Sequence, residues 1–128
     1  MSDEARPFPK SSQLARGERR YRRRVASPKQ WQAIIAAKQG PCRMCFVVGG
    51  NGHVHERIEF HHIVPRDLGG DDVVDNIIGL CAYCHGEVTR RRADALDCLA
   101  RRLTEAERAY AIGKLGEGAL ERLYGVGR

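Results

Sequence analysis

The chain has 128 residues and a mass of 14.3 kDa, which allows one domain with a small core. Its formal net charge is +6, from 22 Lys and Arg against 16 Asp and Glu, and its apolar runs are only a few residues long. These features argue against a membrane partner and favour a partner that carries negative charge.

The positive charge is concentrated at the N-terminus. Residues 1–24 contain eight basic and three acidic residues, so they carry five of the six net charges. We predict that residues 1–26 form a disordered basic arm that binds a phosphate backbone and releases its counterions. Its phosphate contacts are expected to come from Arg22, Arg23 and Arg24. A solvated tail without a partner is the alternative.

The first predicted element is a helix that begins at Ser27-Pro28, an N-cap followed by proline at the first helical position. Trp31 and Ile34 follow at helical spacing and are expected in the core, and Gly40-Pro41 ends the helix. The glycines and the Asn-Gly step of residues 49–52 predict a hairpin turn. A strand should return over about residues 53–63, with His53 and His55 on the surface.

A loop follows this strand, because Pro65 and Gly69-Gly70 interrupt it. A short turn is expected over residues 72–76, and a helix over about residues 82–92. Further downstream, Asp94 is a candidate cap for a helix through Leu103. Thr104 to Glu107 form a capping-box pattern that opens another helix, which ends at Gly116 or Gly118. A short last turn should contain Leu123.

Four of the five cysteines form two Cys-x-x-Cys pairs, Cys42 with Cys45 and Cys81 with Cys84. Two such turns can complete a tetrahedral sulfur shell around one Zn²⁺, so the pattern predicts a structural zinc site. Two disulfides or four ordinary buried cysteines are the alternative, but no export signal points to an oxidising compartment. Cysteine usage therefore predicts a cytoplasmic protein, and Cys98 is expected to pack in the core.

Histidines and an asparagine lie between and beside the two cysteine pairs. The string His61-His62-Ile63-Val64-Pro65, then Gly69-Gly70, Asn76 and Leu80-Cys81-Ala82-Tyr83-Cys84-His85 resembles the signature of HNH endonucleases in their four-cysteine form. The resemblance covers roughly residues 40–90. It implies an α+β, ββα-metal core, flanked here by helices, with one catalytic divalent ion and DNA as the substrate.

The resemblance also implies a role for each matching residue. His62 corresponds to the general base, His61 and His85 to ligands of the catalytic metal, and Asn76 to an amide that holds the loop and the angle of His62. Because neighbouring strand residues point to opposite faces, we expect a twist or bulge at the strand end. The one-metal arrangement that the resemblance implies requires His62 to face the ion from across the phosphate in any case. The products would carry a 5′ phosphate and a 3′ hydroxyl.

One position departs from some family members. A third histidine ligand can follow one helical turn after the helix ligand, where this chain has Thr89. Two imidazoles alone imply modest affinity and Mg²⁺ or Mn²⁺ as the catalytic ion, with Zn²⁺ or Ni²⁺ as alternatives. Further phosphate contacts are predicted at Arg57, Arg66, Arg90 and Arg91, the last two with an exposed helix face as the alternative.

Three hypotheses follow from these patterns. The chain is a metal-dependent endonuclease that nicks or cuts DNA, a zinc module that binds nucleic acid without cutting it, or a nuclease that requires a partner. The flanks resemble small phage and prophage HNH proteins, so a packaging terminase is the candidate partner and a bacterial host cytoplasm the expected location. We predict residues 1–26 as arm, 27–93 as nuclease core and 94–128 as a helical extension of the same domain.

Overall fold

The computed structural model describes residues 23–45 and 57–125. The described residues form two strands and five helices: α1 Pro28–Lys38, β1 Ile58–His62, β2 Ile77–Cys81, α2 Ala82–Thr89, α3 Ala93–Arg102, α4 Glu105–Leu115 and α5 Ala119–Tyr124. Two 3₁₀ turns, Arg66–Leu68 and Val74–Asn76, lie between the strands. The predicted α+β class is confirmed.

The two strands form an antiparallel sheet. Ile58 pairs with Cys81 at one end and His62 with Ile77 at the other. Every residue of β2 is buried, whereas β1 is only partly buried. The sequence did not predict a strand over Ile77–Cys81, yet these residues form the strand that pairs with β1. The predicted hairpin turn, His53 and His55 lie outside the described residues.

Helix α1 begins where the sequence predicts. The Ser27 hydroxyl accepts a hydrogen bond from the Gln30 backbone N–H (3.2 Å), and the Ser27 N–H donates to the Gln30 side chain (2.8 Å). The C-terminal end of α1 lies close to β2 at Gly79. A Cβ at Gly79 would lie 3.2 Å from the Lys38 carbonyl oxygen, so this glycine permits the close packing of helix on strand.

Helix α2 is shorter than predicted. It ends at Thr89, and Arg91 adopts the left-handed conformation with φ 57°. The N–H of Arg92 donates to the Glu87 carbonyl (3.1 Å) and that of Arg91 to the Val88 carbonyl (2.9 Å), which is a Schellman ending. The prediction of a helix through Arg92 is wrong. Arg90, Arg91 and Arg92 lie in a turn and not on a helix face.

The C-terminal helices pack around the same core as the sheet. Arg92 occupies the N-cap position of α3 without a side-chain capping hydrogen bond, and Asp94 lies in the first turn, so the predicted cap at Asp94 is wrong. Helix α4 opens with the predicted capping box of Thr104 and Glu107 and ends before Gly116. The cluster of buried side chains includes cysteines, strand residues and helix residues: Cys42, Cys81, Cys84, Ile78, Leu80, Leu99, Ala111 and Leu123.

Cys98 packs at the edge of this core, as expected. No helix within residues 23–45 and 57–125 has the length and apolar character needed to cross a membrane. The division into arm, nuclease core and extension stays a prediction. Residues 23–26, assigned to the arm, make hydrogen bonds with residues 70–72, which are described below.

Candidate active site

The four cysteines of the two Cys-x-x-Cys pairs come together beside the sheet. Their sulfur atoms all lie within 4.8 Å of one another, and the Cys45 and Cys81 sulfurs are 3.9 Å apart. Zn–S bonds of about 2.3 Å place neighbouring sulfurs of a tetrahedral site about 3.8 Å apart. Within the described part of the chain this is the one group of three or more potential ligands brought this close. The arrangement fits a zinc ion.

The thiols of this cluster have divergent acidities. Burial alone would raise the pKa of Cys42, but backbone hydrogen bonds at Cys45, Cys81 and Met44 outweigh it and lower the pKa to about 7. Burial raises the pKa of Cys81 to about 11 and raises that of Cys84 further. Since thiolates are the metal-binding form, filling the site would release protons.

The second candidate centre lies between β1 and α2. The rings of His61 and His85 meet edge to face, with centroids 5.3 Å apart. The Nε2 atom of His61 is buried and has no hydrogen-bond partner among the described residues. Burial, assisted by the charges of His85 and His62, lowers the pKa of His61 to about 4. His61 is therefore a neutral imidazole with an unpaired ring nitrogen, which is the form that binds a metal.

Glu59 orients the other histidine of this pair. Its Oε1 atom lies 2.7 Å from Nδ1 of His85. A carboxylate that accepts a hydrogen bond from one ring N–H leaves the other nitrogen free to bind a metal. The histidine pair and Glu59 therefore fit a divalent ion with open positions. We did not predict Glu59 as a site residue, although strand alternation placed it on the same face as His61.

His62 lies on the opposite face of β1. Its ring is stacked with that of Trp31, with an interplanar angle of 8° and centroids 6.0 Å apart, and its Nε2 atom is 2.8 Å from Oδ1 of Asp72. Pairing of β1 is regular through His62, so the expected bulge is absent. Among the described residues, no ring contact or hydrogen bond joins His62 to His61 or His85. The remaining expectation is that His62 faces the ion from across a phosphate.

Asn76 holds the loop that joins the two strands. Its Oδ1 accepts from the Val64 N–H (2.7 Å), and its Nδ2 donates to the carbonyls of Val64 (3.1 Å) and Asp71 (3.0 Å). Gly70 permits the close approach of the two ends of this loop. A Cβ at this position would lie only 1.8 Å from the Val64 carbonyl oxygen. The expected hydrogen bonds of Asn76 to the loop backbone are present, and its influence on His62 stays a prediction.

The predicted phosphate-binding arginines have different environments. Arg24, Arg57, Arg66 and Arg90 are exposed, and Arg90 lies 3.4 Å from Glu87. Arg91 donates to the Leu123 carbonyl (2.9 Å), which stabilises the turn after α2. Arg23 forms an ion pair with Asp72. Arg22 lies outside the described residues. The structure does not bring these arginines into one patch with known contacts, so their binding role stays a prediction.

Comparisons with known proteins identify a nuclease family for part of the chain. Residues 42–91 match the family model described as HNH endonuclease. The chain is also similar to the type IV methyl-directed restriction enzyme EcoKMcrA of Escherichia coli (strain K12), with 33% identity over 66 residues. That match covers 47% of this chain and 22% of the restriction enzyme, so the chain spans about a fifth of that protein. No solved structure gave a significant match.

The matched segment contains both cysteine pairs, the histidines of both strand faces and Asn76. Residues 42–91 of this chain are therefore an HNH endonuclease domain, built on a two-stranded sheet and a helix beside a four-cysteine cluster.

Proposed function

We propose that this chain is a metal-dependent endonuclease that hydrolyses DNA phosphodiester bonds and leaves 5′ phosphate and 3′ hydroxyl ends. The observation that carries the proposal is the buried Nε2 of His61, which has no hydrogen-bond partner among the described residues. It lies beside His85, whose Nδ1 is hydrogen-bonded to Glu59. A structural histidine would normally satisfy a buried nitrogen with a hydrogen bond, because leaving it unpaired costs free energy.

His61 and His85 would hold the divalent ion, with Mg²⁺ or Mn²⁺ as the physiological metal and Zn²⁺ or Ni²⁺ as alternatives. A bound divalent ion supplies positive charge for the anionic phosphorane and for the departing 3′ oxygen. Glu59 keeps His85 in the orientation that turns its free nitrogen away from the carboxylate. The four cysteines would hold a separate, structural Zn²⁺.

His62 would accept the proton of the attacking water. It lies next to His61 in the chain but on the other face of β1. A phosphate bound across the end of the strand would therefore lie between His62 and the ion that His61 and His85 would hold. Trp31 packs against the His62 ring and restricts its tilt. Asn76 fixes the loop that follows His62.

DNA is the proposed substrate because the nuclease family acts on it and because the chain has exposed arginines that can contact phosphates. Arg24, Arg57, Arg66 and Arg90 are exposed and available for phosphates, and the basic residues before Arg23 would extend the contact. The restriction enzyme to which the chain is similar is methyl-directed by name; sensitivity to DNA modification is not proposed for this chain. A phage origin, a terminase partner and a cytoplasmic location stay predictions.

The test is cleavage of supercoiled plasmid by zinc-loaded protein with Mg²⁺ or Mn²⁺. We expect wild type to nick or linearise the plasmid and His62→Ala to lose about 10²- to 10⁴-fold in rate, the usual effect of removing a general base. His53→Ala, which removes a histidine that is not one of the proposed site residues, is the control and should cleave like wild type. Melting temperature and DNA affinity of His62→Ala should stay close to wild type.

The outcomes separate the three hypotheses. DNA binding without cleavage by any variant would favour the hypothesis of a zinc module that binds nucleic acid without cutting it. Equal cleavage by wild type and His62→Ala would indicate a contaminating nuclease. Cleavage that appears only after a terminase is added would favour the partner-dependent enzyme.

A further inference from the structure

We infer that Asp72 is a positioning residue for His62 and that residues 23–26, at the base of the basic arm, hold Asp72 in place. The inference rests on the proposed function, in which His62 takes a proton from water. It assigns a role to a carboxylate and to a chain segment that the nuclease signature does not include.

The Asp72 carboxylate is fixed by three donors. Its Oδ1 atom lies 2.8 Å from Nε2 of His62 and also contacts the Arg23 guanidinium, while its Oδ2 accepts from the Ala26 backbone N–H at 3.0 Å. The side chain is 7% exposed. Because both oxygens are hydrogen-bonded and little of the group is exposed, the Asp72 carboxylate is held in one orientation, in which Oδ1 contacts His62.

This contact selects one of the two nitrogens of His62. Burial alone would raise the pKa of Asp72, but hydrogen bonds from His62 and Ala26 and the charge of Arg23 lower it below its ordinary value. An ionised carboxylate only accepts hydrogen bonds, so Nε2 of His62 carries the proton. Nδ1 is then the nitrogen with a free lone pair, and it has no hydrogen bond to any described residue.

Residues 23–26 form one side of the support. Arg23 donates from Nε to the Gly70 carbonyl (2.7 Å), Arg24 donates its backbone N–H to Asp71 Oδ1 (2.6 Å), and the Asp72 N–H donates to the Arg24 carbonyl (2.8 Å). The loop that carries Asp72 is thus hydrogen-bonded along this segment.

Helix α4 forms the other side. The other Asp71 oxygen, Oδ2, accepts from the Tyr110 hydroxyl (2.6 Å) and from Lys114 (2.9 Å), and Tyr110 in turn accepts from the Asp71 N–H (2.9 Å). Asp71 and Asp72 therefore divide the work: Asp71 anchors the loop to the body of the protein, and Asp72 extends from the anchored loop to His62. A purely structural carboxylate would have no need of the histidine as its partner.

The experiment is a double-mutant cycle of the full chain: wild type, Asp72→Asn, His62→Ala and the double variant. Single-turnover cleavage is measured with protein in saturating excess over DNA and with saturating Mn²⁺. We expect Asp72→Asn to lower the rate about 10- to 100-fold, with DNA affinity and melting temperature near wild type. In the His62→Ala background the same change should have no further effect, because Asp72 acts through that ring. Asp75→Asn, an exposed carboxylate in the same loop, is the control.

A second readout does not depend on cleavage. In ¹⁵N spectra of the histidine rings, neutral His62 should be the Nε2–H tautomer in wild type. An Asn amide can donate as well as accept, so Asp72→Asn should give a mixture of both tautomers. If Asp72→Asn does not fold, Arg23→Gln enters the same cycle, and its rate loss should likewise vanish in the His62→Ala background.

Wild-type cleavage by Asp72→Asn, or an equal rate loss with and without His62, would overturn the inference while leaving the nuclease intact. A wild type that never cleaves would refute the proposed function. In that case an Nδ1–H tautomer of His62 would independently refute the positioning by Asp72.

Discussion

At the scale of single residues, the two faces of β1 carry different tasks, and each uses a carboxylate–histidine contact. On one face Glu59 meets Nδ1 of His85, and on the other Asp72 meets Nε2 of His62. Each contact selects which ring nitrogen keeps a free lone pair. One nitrogen is thereby available for a metal and another for a proton.

Removing the charge of Glu59 should weaken metal binding. We expect Glu59→Gln to lower Mn²⁺ affinity of the zinc-loaded protein about 10- to 100-fold, because the orientation and basicity of His85 depend on that carboxylate. Calorimetric titration measures the change. Glu87→Gln is the matched control, since Glu87 is on the same helix as His85 but pairs with Arg90. Unchanged affinity in Glu59→Gln would mean that His85 needs no such support.

Some site residues can be predicted from the sequence because they belong to a local pattern, and others cannot because their contacts join distant parts of the chain. Asn76 belongs to a pattern of fixed order with His61-His62 and the cysteines, so its position follows from the signature. Glu59 and Asp72 have no pattern of their own. Their partners lie 26 and 10 residues away, and the contacts exist only because the sheet and the loop close.

At the scale of elements, local signals predicted the starts of α1 and α4 but not the end of α2. The caps of α1 and α4 are formed by side chains within three residues of one another, Ser27 with Gln30 and Thr104 with Glu107. The end of α2 has no glycine, and Arg91 takes the left-handed conformation instead. Its side chain donates to the carbonyl of Leu123, 32 residues away, and this stabilising contact is invisible in the local sequence.

The cysteine cluster joins the segment after α1 to the start of α2. Cys81 caps α2, since its sulfur accepts from the Cys84 N–H at 3.4 Å, and the Arg43 N–H donates to the Gly79 carbonyl at 3.0 Å. A metal held by both pairs would therefore fix the strand, the helix and the preceding turn together.

Loss of that metal should unfold the domain. Structural zinc sites contribute about 10–16 kcal/mol of apparent binding free energy, and much of it is folding free energy. We expect Cys42→Ser, or chelation of the wild type, to abolish the cooperative thermal transition, and elemental analysis to show one zinc per wild-type chain. Cys98→Ser, outside the cluster, should keep both the zinc and the transition. A chelated wild type that melts at its original temperature would contradict this role.

At the scale of the whole molecule, one buried carboxylate joins α4 to the distant segment that runs from the end of α1 to the first cysteine pair. Glu107 in α4 has no exposed surface, and it receives hydrogen bonds from Lys38 at the end of α1 and from both terminal nitrogens of Arg43 (2.9 and 3.0 Å) between the cysteines. Its Oε1 also accepts a hydrogen bond from the Thr104 backbone N–H (2.8 Å), as part of the capping box of α4. Helix α4 and the segment that carries the first cysteine pair therefore share an ionic contact as well as an apolar core.

This contact makes a pH-dependent contribution to stability. Burial alone would raise the pKa of Glu107, but hydrogen bonds from Arg43 and Lys38 lower it below its ordinary value of 4.5. A lowered pKa in the folded state means that the stabilisation is complete above about pH 4.5 and is lost as the pH falls through the folded-state value. Glu107→Gln should lose the stabilisation at neutral pH and be less sensitive to acid.

We expect Glu107→Gln to lower the free energy of unfolding by about 3 kcal/mol at pH 7, because two cations at a buried site lose their counter-charge. The difference from wild type should shrink as the pH is lowered from 5 towards 3. Urea unfolding of both proteins at each pH measures it, and subtracting the two curves removes effects common to both, such as zinc loss and the titration of Asp71 and Asp72. Glu117→Gln, at an exposed carboxylate, should match wild type throughout. A difference that stays constant with pH would show that Glu107 stabilises the fold through packing and not through its charge.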